Sequence, residues 1–133
     1  MGRGLEEFRR KEAARDGARP DMRSHPLIDR EHLTAQTFGD ADLAREVLGL
    51  FAEQCRRLTP AILAEGPAAE RADLAHTLKG AALGVGAGRV AGASAAVEAS
   101  LRAEGTAPDG PELAAAVAAT LALIEEDGAN PGT

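Results

Sequence analysis

Aromatic side chains are almost absent from this sequence, which has three Phe and neither Trp nor Tyr among its 133 residues. Runs of aromatic and β-branched residues, which favour strands, are missing with them, whereas alanine is abundant. The composition therefore predicts an all-α protein. The length allows one helical domain with a tail, and it is too short to add a separate nucleotide-binding kinase domain.

Cysteine and long apolar runs are also scarce. The single cysteine, Cys55, cannot form an internal disulfide, which fits a reducing compartment. It falls on an apolar helical stripe, where a buried small hydrophobe is the simplest interpretation. No apolar stretch approaches the roughly twenty residues of a membrane helix, and none follows the basic N-terminus as in a signal peptide. We therefore expect a cytoplasmic protein without a membrane segment.

Basic residues are outnumbered, and the formal net charge is −6. This balance disfavours general nucleic-acid binding, so no nucleic-acid partner is expected. The charge is unevenly distributed, because residues 1–24 hold seven basic and five acidic side chains, whereas residues 25–133 hold eight basic and sixteen acidic ones. Residues 1–24 are also poor in apolar side chains and contain Gly17 and Pro20. They are predicted to form a flexible charged extension.

The rest of the chain has the periodicity of helices. A short helix is predicted at about Asp29–Thr37, and four longer ones begin behind Asp40, at Pro67, at Arg89 and at Pro111. The second helix carries an apolar stripe and an internal Pro60, which should kink the helix or restart it behind Thr59. The stripe consists of Leu43, Val47, Leu50, Phe51, Cys55, Leu58 and Ile62.

Short connections make neighbouring helices antiparallel. The sequence thus predicts an up-down-up-down four-helix bundle with a short extra N-terminal helix. The bundle should occupy residues 25–127, between the extension at residues 1–24 and a C-terminal tail at residues 128–133.

The third predicted helix, about Pro67–Val85, contains the sequence His76-Thr77-Leu78-Lys79-Gly80. At about 100° per residue its larger apolar side chains cluster on one face, and His76 lies roughly opposite them. We therefore expect an exposed histidine in small or apolar surroundings, which is typical of a docking surface. The predicted flanking residues are Ala72, Lys79, Gly80, Leu83 and Ala87.

The turn to the fourth helix near Ala87 places Glu98 level with His76 and Arg102 one turn further. Two interpretations remain open. Glu98 could orient the imidazole by accepting its second N–H, or it could form only a surface ion pair with Arg102 at i,i+4.

These residue types suit nucleophilic chemistry at a phosphoryl group. A neutral imidazole is a good nucleophile near pH 7, and Lys79 could pair with phosphoryl oxygens. The lysine is notable because the chain has only Lys11 and Lys79 against thirteen Arg. A lone exposed histidine is usually an ordinary surface residue, so the hypothesis depends on the whole constellation.

Other constellations are weaker. His25, His32 and His76 lack the spacing of metal ligands. Asp73 and His76 would supply only two ligands, so no metal site is predicted.

The stretch AHTLKGAA at residues 75–82, followed by Gly86, closely resembles the signature of histidine-containing phosphotransfer (HPt) domains. The resemblance extends over about Ile28–Glu126, including the Leu48–Phe51 and Val97-Glu98 segments. It implies a bundle whose histidine, here His76, accepts a phosphoryl group from a receiver-domain aspartate and passes it to another. Lys79 and Gly80 match the positions beside the phosphate. Ala81 and Ala82 stand where the family often has Ser.

The resemblance further implies a phosphorelay intermediate without ATP-dependent kinase activity of its own. No cofactor is expected on this chain, and Mg²⁺ would be held by the partner. The implied partners are response-regulator receiver domains, with a hybrid histidine kinase as a further candidate, and the chain would act as a monomer. The alternative is a non-catalytic helical adaptor that docks a receiver or kinase through the same face without using His76.

A chain that starts at Met22 tests the predicted extension. Residues 1–24 contain too few apolar side chains to offset the entropy of ordering them. We expect the shortened protein to melt within a few degrees of full length, as followed by circular dichroism. A large loss of helicity or cooperativity would show instead that the extension packs on the bundle.

Overall fold

The computed structural model describes residues 26–129 and is all-helical over that range. The five helices are α1 (Arg30–Gln36), α2 (Ala41–Leu63), α3 (Ala68–Val85), α4 (Gly88–Glu104) and α5 (Gly110–Ala129). The prediction of an all-α fold with a short first helix is confirmed. The predicted extension at residues 1–24 and the last four residues of the predicted tail lie outside the described residues.

The ends of the helices follow from local sequence signals. The side chains of Asp29 and Asp40 accept hydrogen bonds from the backbone N–H groups of His32 and Leu43, at 3.1 and 3.0 Å, and so cap α1 and α2. α3 ends at Gly86, which has a φ of 79°, a left-handed conformation that glycine adopts without steric cost. α2 continues through Pro60 as one helix and does not restart there.

The buried stripe of α2 differs in part from the predicted one. Its members recur at alternating spacings of three and four residues, as expected for a helix packed on two neighbours. These members are Leu48, Phe51, Cys55, Leu58 and Ile62, and Ala52 and Thr59 are buried beside them. Leu50 does not fit that spacing and is 61 % exposed, so its assignment to the core is wrong.

Cys55 is fully buried in the core. Burial raises the pKa of its thiol to about 11, and the nearby Arg56 only partly opposes this rise. The thiol is therefore protonated at neutral pH and is a poor nucleophile. Its interpretation as a buried small hydrophobe is confirmed.

The interface between α3 and α4 is the most extensive helix pair in the structure. Small side chains make up about half of the buried residues of these two helices, which allows their backbones to approach closely. The buried small residues are Ala72, Ala75 and Ala82 of α3 and Ala91, Ala93 and Ser94 of α4. Because the three alanines of α3 are buried, the centre of its buried face is rotated by roughly 60° from the centre of the predicted buried face, at 100° per residue. Alanine carries too little hydrophobic signal to reveal that shift in the sequence.

The four longer helices contact one another in a closed ring. α2 packs on α3, α3 on α4, α4 on α5, and α5 returns to α2, whereas no Cα atoms of the diagonal pairs come within 8 Å of each other in residues 26–129. Arg56 of α2 donates a hydrogen bond to Glu125 of α5 at 3.1 Å. Gly110, where α5 begins, lies against Leu63, the last residue of α2.

α1 closes the end of the bundle at which α3 terminates. The backbone N–H of Asp29 donates to the carbonyl of Gly86 at 2.8 Å, and His32 Nε2 lies 3.2 Å from the carbonyl oxygen of Gly84. A Cβ at Gly86 would lie 3.0 Å from the Asp29 carbonyl oxygen, and the positive φ of this residue would strain any other side chain there. α1 thus satisfies carbonyl groups that a helix end leaves unpaired, and it anchors the C-terminal end of α3.

Candidate functional site

His76 lies on the open surface of α3, and its side chain is 62 % exposed. Its Nδ1 is 3.1 Å from Oε2 and 3.2 Å from Oε1 of Glu98 on α4. Nε2 makes no hydrogen bond to any residue that the structure describes. The imidazole is therefore held at one nitrogen and accessible at the other.

Glu98 is the centre of this site, and its side chain is only 13 % exposed. Besides His76, it accepts hydrogen bonds from Lys79 Nζ to Oε1 and from Arg102 Nε to Oε2, each at 3.0 Å. Partial burial by itself raises the pKa of Glu98, but the hydrogen bonds from Lys79, Arg102 and His76 outweigh it and lower that pKa to about 2. Glu98 is accordingly a carboxylate at neutral pH.

The ionised state of Glu98 determines which nitrogen of the neutral imidazole carries the proton. A carboxylate can only accept hydrogen bonds. Nδ1 of His76 must then donate the proton in this contact, which leaves the lone pair of the neutral ring on Nε2. The exposed nitrogen is thus the nucleophilic one.

Arg102 connects two carboxylates on neighbouring helices. Its Nε donates to Glu98 on its own helix, and one terminal nitrogen donates to Asp73 Oδ1 on α3 at 3.0 Å. The bonds to Asp73 and Glu98 raise the pKa of Arg102. Both predicted roles of Glu98 are therefore present, because it contacts the imidazole and also pairs with Arg102.

Asp73 is the residue that the sequence analysis missed, since it was considered only as a metal ligand. The antiparallel register predicted from the sequence, which places Glu98 opposite His76, also places Arg102 opposite Asp73, so the same signal could have found this pair. Lys79 differs from expectation too. Its side chain is 29 % exposed and bonded to Glu98, and is not free on the surface.

The residues of the predicted docking face differ in their exposure. Gly80 is exposed, with nothing within 4 Å of the position of a Cβ, and Leu83 is 57 % exposed. Ala72 and Ala87 are fully buried and cannot contact a partner, so this part of the prediction is wrong. Ala87 follows the left-handed Gly86 and is no longer on the helix.

His76 and its neighbours Gly80 and Leu83 form an exposed surface. A shallow cleft lies elsewhere, between α1 and the start of α2, and is lined by Arg30, Thr37, Asp40 and Arg45 among others. Residues 26–129 contain no group of three or more His, Cys, Asp or Glu side chains that could hold a metal ion. No helix in the same part of the chain is long and apolar enough to cross a membrane.

The fold and the site define an all-helical protein that presents a carboxylate-oriented histidine on its surface. The model of one protein family, described as the Hpt domain, matches residues 46–127, which is more than half of the chain and includes His76, Lys79 and Glu98. The chain belongs to the Hpt domain family. This membership indicates histidine phosphotransfer in two-component signalling. Comparisons with curated proteins and with solved structures gave no match.

The low pKa of Glu98 has a consequence for acid stability. Because the folded-state pKa is lowered from 4.5 to about 2, the stabilisation by this carboxylate is complete above pH 4.5 and is lost as the pH falls towards 2. We expect Glu98→Gln to lose less stability than wild type over that interval. Melting temperatures measured between pH 7 and 2 test this, with Glu53→Gln controlling for the change in net charge. Parallel curves for wild type and Glu98→Gln would contradict the expectation.

Proposed function

We propose that this protein relays a phosphoryl group between receiver-domain aspartates, with His76 as the intermediate acceptor in a multi-step phosphorelay. The observation that carries this proposal is the contact of His76 Nδ1 with Glu98 at 3.1 Å. It leaves the exposed Nε2 with the lone pair that attack on phosphorus requires.

In the proposed reaction, Nε2 of His76 attacks the phosphorus of an aspartyl phosphate on a receiver domain. An N–P bond forms, the P–O bond to the aspartate breaks, and the aspartate carboxylate leaves with the electron pair. The Nδ1 proton stays on the ring, so the positive charge that the ring gains lies opposite the Glu98 carboxylate. Transfer to a second receiver reverses these steps.

Lys79 supplies charge for the phosphoryl group. It lies one turn beyond His76 on α3, and its ammonium group already lies beside the imidazole through their shared partner Glu98. Phosphoryl transfer depends mainly on positioning and on neutralising charge. We infer that Lys79 pairs with the phosphoryl oxygens once they are attached to Nε2.

The receiver would dock on the open face formed by Gly80 and Leu83 beside His76. Gly80 leaves space for close approach, and a large exposed apolar side chain such as Leu83 becomes favourable when a partner covers it. The receiver, not this chain, would hold the Mg²⁺ ion. A hybrid histidine kinase is a further candidate partner.

We also propose that the four longer helices form an up-down-up-down bundle. The pairing of His76 with Glu98 and of Asp73 with Arg102 supports opposite directions for α3 and α4. The Arg56–Glu125 contact, together with that of Leu63 and Gly110, supports the same for α2 and α5. The protein would act as a cytoplasmic monomer, and its single, buried cysteine agrees with a reducing compartment.

A non-catalytic adaptor remains the alternative function. It would dock a receiver or kinase through the same face and leave His76 unmodified. The orientation of the imidazole by an ionised Glu98 favours phosphotransfer, because docking alone does not require a particular tautomer.

The proposal predicts that His76 is the sole phosphoacceptor. Wild type and His76→Gln are incubated with a phosphorylated receiver, and the transferred label is located by mass spectrometry. We expect acid-labile label on wild type and none on the variant. Equal labelling of both proteins, or label on His25 or His32, would contradict the assignment, and receiver binding without label would favour the adaptor.

The docking face is tested with Gly80→Gln and Leu83→Glu. Both positions are exposed, so each substitution should change the melting temperature little. We expect Gly80→Gln to obstruct transfer by its bulk and Leu83→Glu to weaken receiver binding, because it adds negative charge beside an acidic partner pocket. Leu50→Glu is the matched control on another helix. Normal transfer by Gly80→Gln would show that close approach is not needed, and unfolding of Leu83→Glu would show that Leu83 supports the core.

A further inference from the structure

Glu98 has two cationic partners, and they use different oxygen atoms. Lys79 donates to Oε1, whereas Arg102 donates to Oε2, each at 3.0 Å. The oxygen bonded to Arg102 is also the one nearest to Nδ1 of His76, at 3.1 Å. Loss of the Lys79 bond would therefore leave the Arg102–Glu98–His76 contacts intact.

The proposed function, on which this inference rests, would remove one of those partners. A phosphoryl group on Nε2 carries up to two negative charges and competes with the carboxylate for the ammonium of Lys79. Glu98 would then face the modified ring with a single cation beside it. Its orientation matters most at that stage, since the ring is positively charged and donates its remaining proton to Glu98.

We propose that Arg102 is a positioning residue that keeps Glu98 on Nδ1 of His76 when the phosphoryl group draws Lys79 away. The guanidinium group is suited to this task because its planar fork can bind two carboxylates at once through separate nitrogens. The hydrogen bond to Asp73 on α3 holds the guanidinium group of Arg102 in place between α3 and α4. The same bond neutralises Asp73, which lies one turn before His76 and would otherwise repel a phosphoryl dianion.

The experiment follows the ring nitrogens of His76 by ¹⁵N NMR, before and after phosphorylation with phosphoramidate. In that reaction the N–P bond to Nε2 forms, the P–N bond of the donor breaks, and ammonia leaves, so no receiver is required. Lys79→Ala, Arg102→Ala and Arg102→Lys are compared with wild type. Arg56→Ala is the matched control, because Arg56 is a similarly exposed arginine in an ion pair with Glu125, away from His76.

Before phosphorylation, either cation can hold Glu98, so we expect the proton to remain on Nδ1 in all variants. After phosphorylation, Arg102→Ala alone should lose the hydrogen-bonded Nδ1–H signal, and its phosphohistidine should hydrolyse roughly two- to fivefold faster, the range expected for one ion pair. Lys79→Ala should keep that signal. Arg102→Lys should restore it in part, because one nitrogen replaces two, and Arg56→Ala should match wild type.

Two results would overturn the inference. A phosphorylated Arg102→Ala protein with the wild-type Nδ1–H signal and lifetime refutes the role of Arg102 and leaves the proposed function standing. Wild-type protein that accepts no phosphoryl group at His76, either from phosphoramidate or from a phosphorylated receiver, refutes the proposed function, and this inference with it.

Discussion

The close packing of α3 on α4 is the constraint on which the rest of this site depends. Alanine and serine at the interface allow the two helices to approach closely enough for Glu98 to contact both His76 and Lys79. Larger side chains there would widen the gap, and a carboxylate cannot extend to compensate. The small residues therefore act on the chemistry indirectly, by setting the distance at which charged groups on two helices meet.

The site is a chain of alternating charges built on that distance. Asp73, Arg102, Glu98 and Lys79 contribute two negative and two positive charges, and His76 lies at its edge with one nitrogen bonded and one exposed. In the proposed transfer, this group is balanced before phosphorylation and would reorganise when a phosphoryl group reaches His76. Because Glu98 is bound through both oxygens, one cation can move while the other keeps the carboxylate in place.

The position of the site also explains its accessibility. His76 lies on an open helix surface and not in a cleft, so a partner protein can bring its own reacting group to Nε2. The exposed Gly80 and Leu83 extend that surface along α3. α1 covers the end of α3 near Gly86, and thereby holds the helix that carries all three residues.

Within residues 26–129, the sequence by itself determined the helical class, the number and approximate ends of the helices, and the exposure of His76. These follow from local effects, namely capping by Asp29 and Asp40, termination by Gly86, and the 3.6-residue period of the larger apolar side chains. The helical register also indicated that Glu98 lies opposite His76. The resemblance of residues 75–82 to the HPt signature identified the family.

Only the tertiary structure decided which face of α3 is buried and how the charges pair. Ala72 and Ala87 were predicted to be exposed and are buried, because alanine fits both environments and its burial depends on the neighbouring helix. Leu50 was predicted to be buried and is exposed. The core side of α2 consists of residues spaced alternately three and four apart, and Leu50 lies outside that series. Lys79 forms an ion pair with Glu98 on α4, and Asp73 forms one with Arg102 on the same helix. Ionic contacts of this kind depend on distances between helices to within about an ångström, and one helix's periodicity carries no information about that separation.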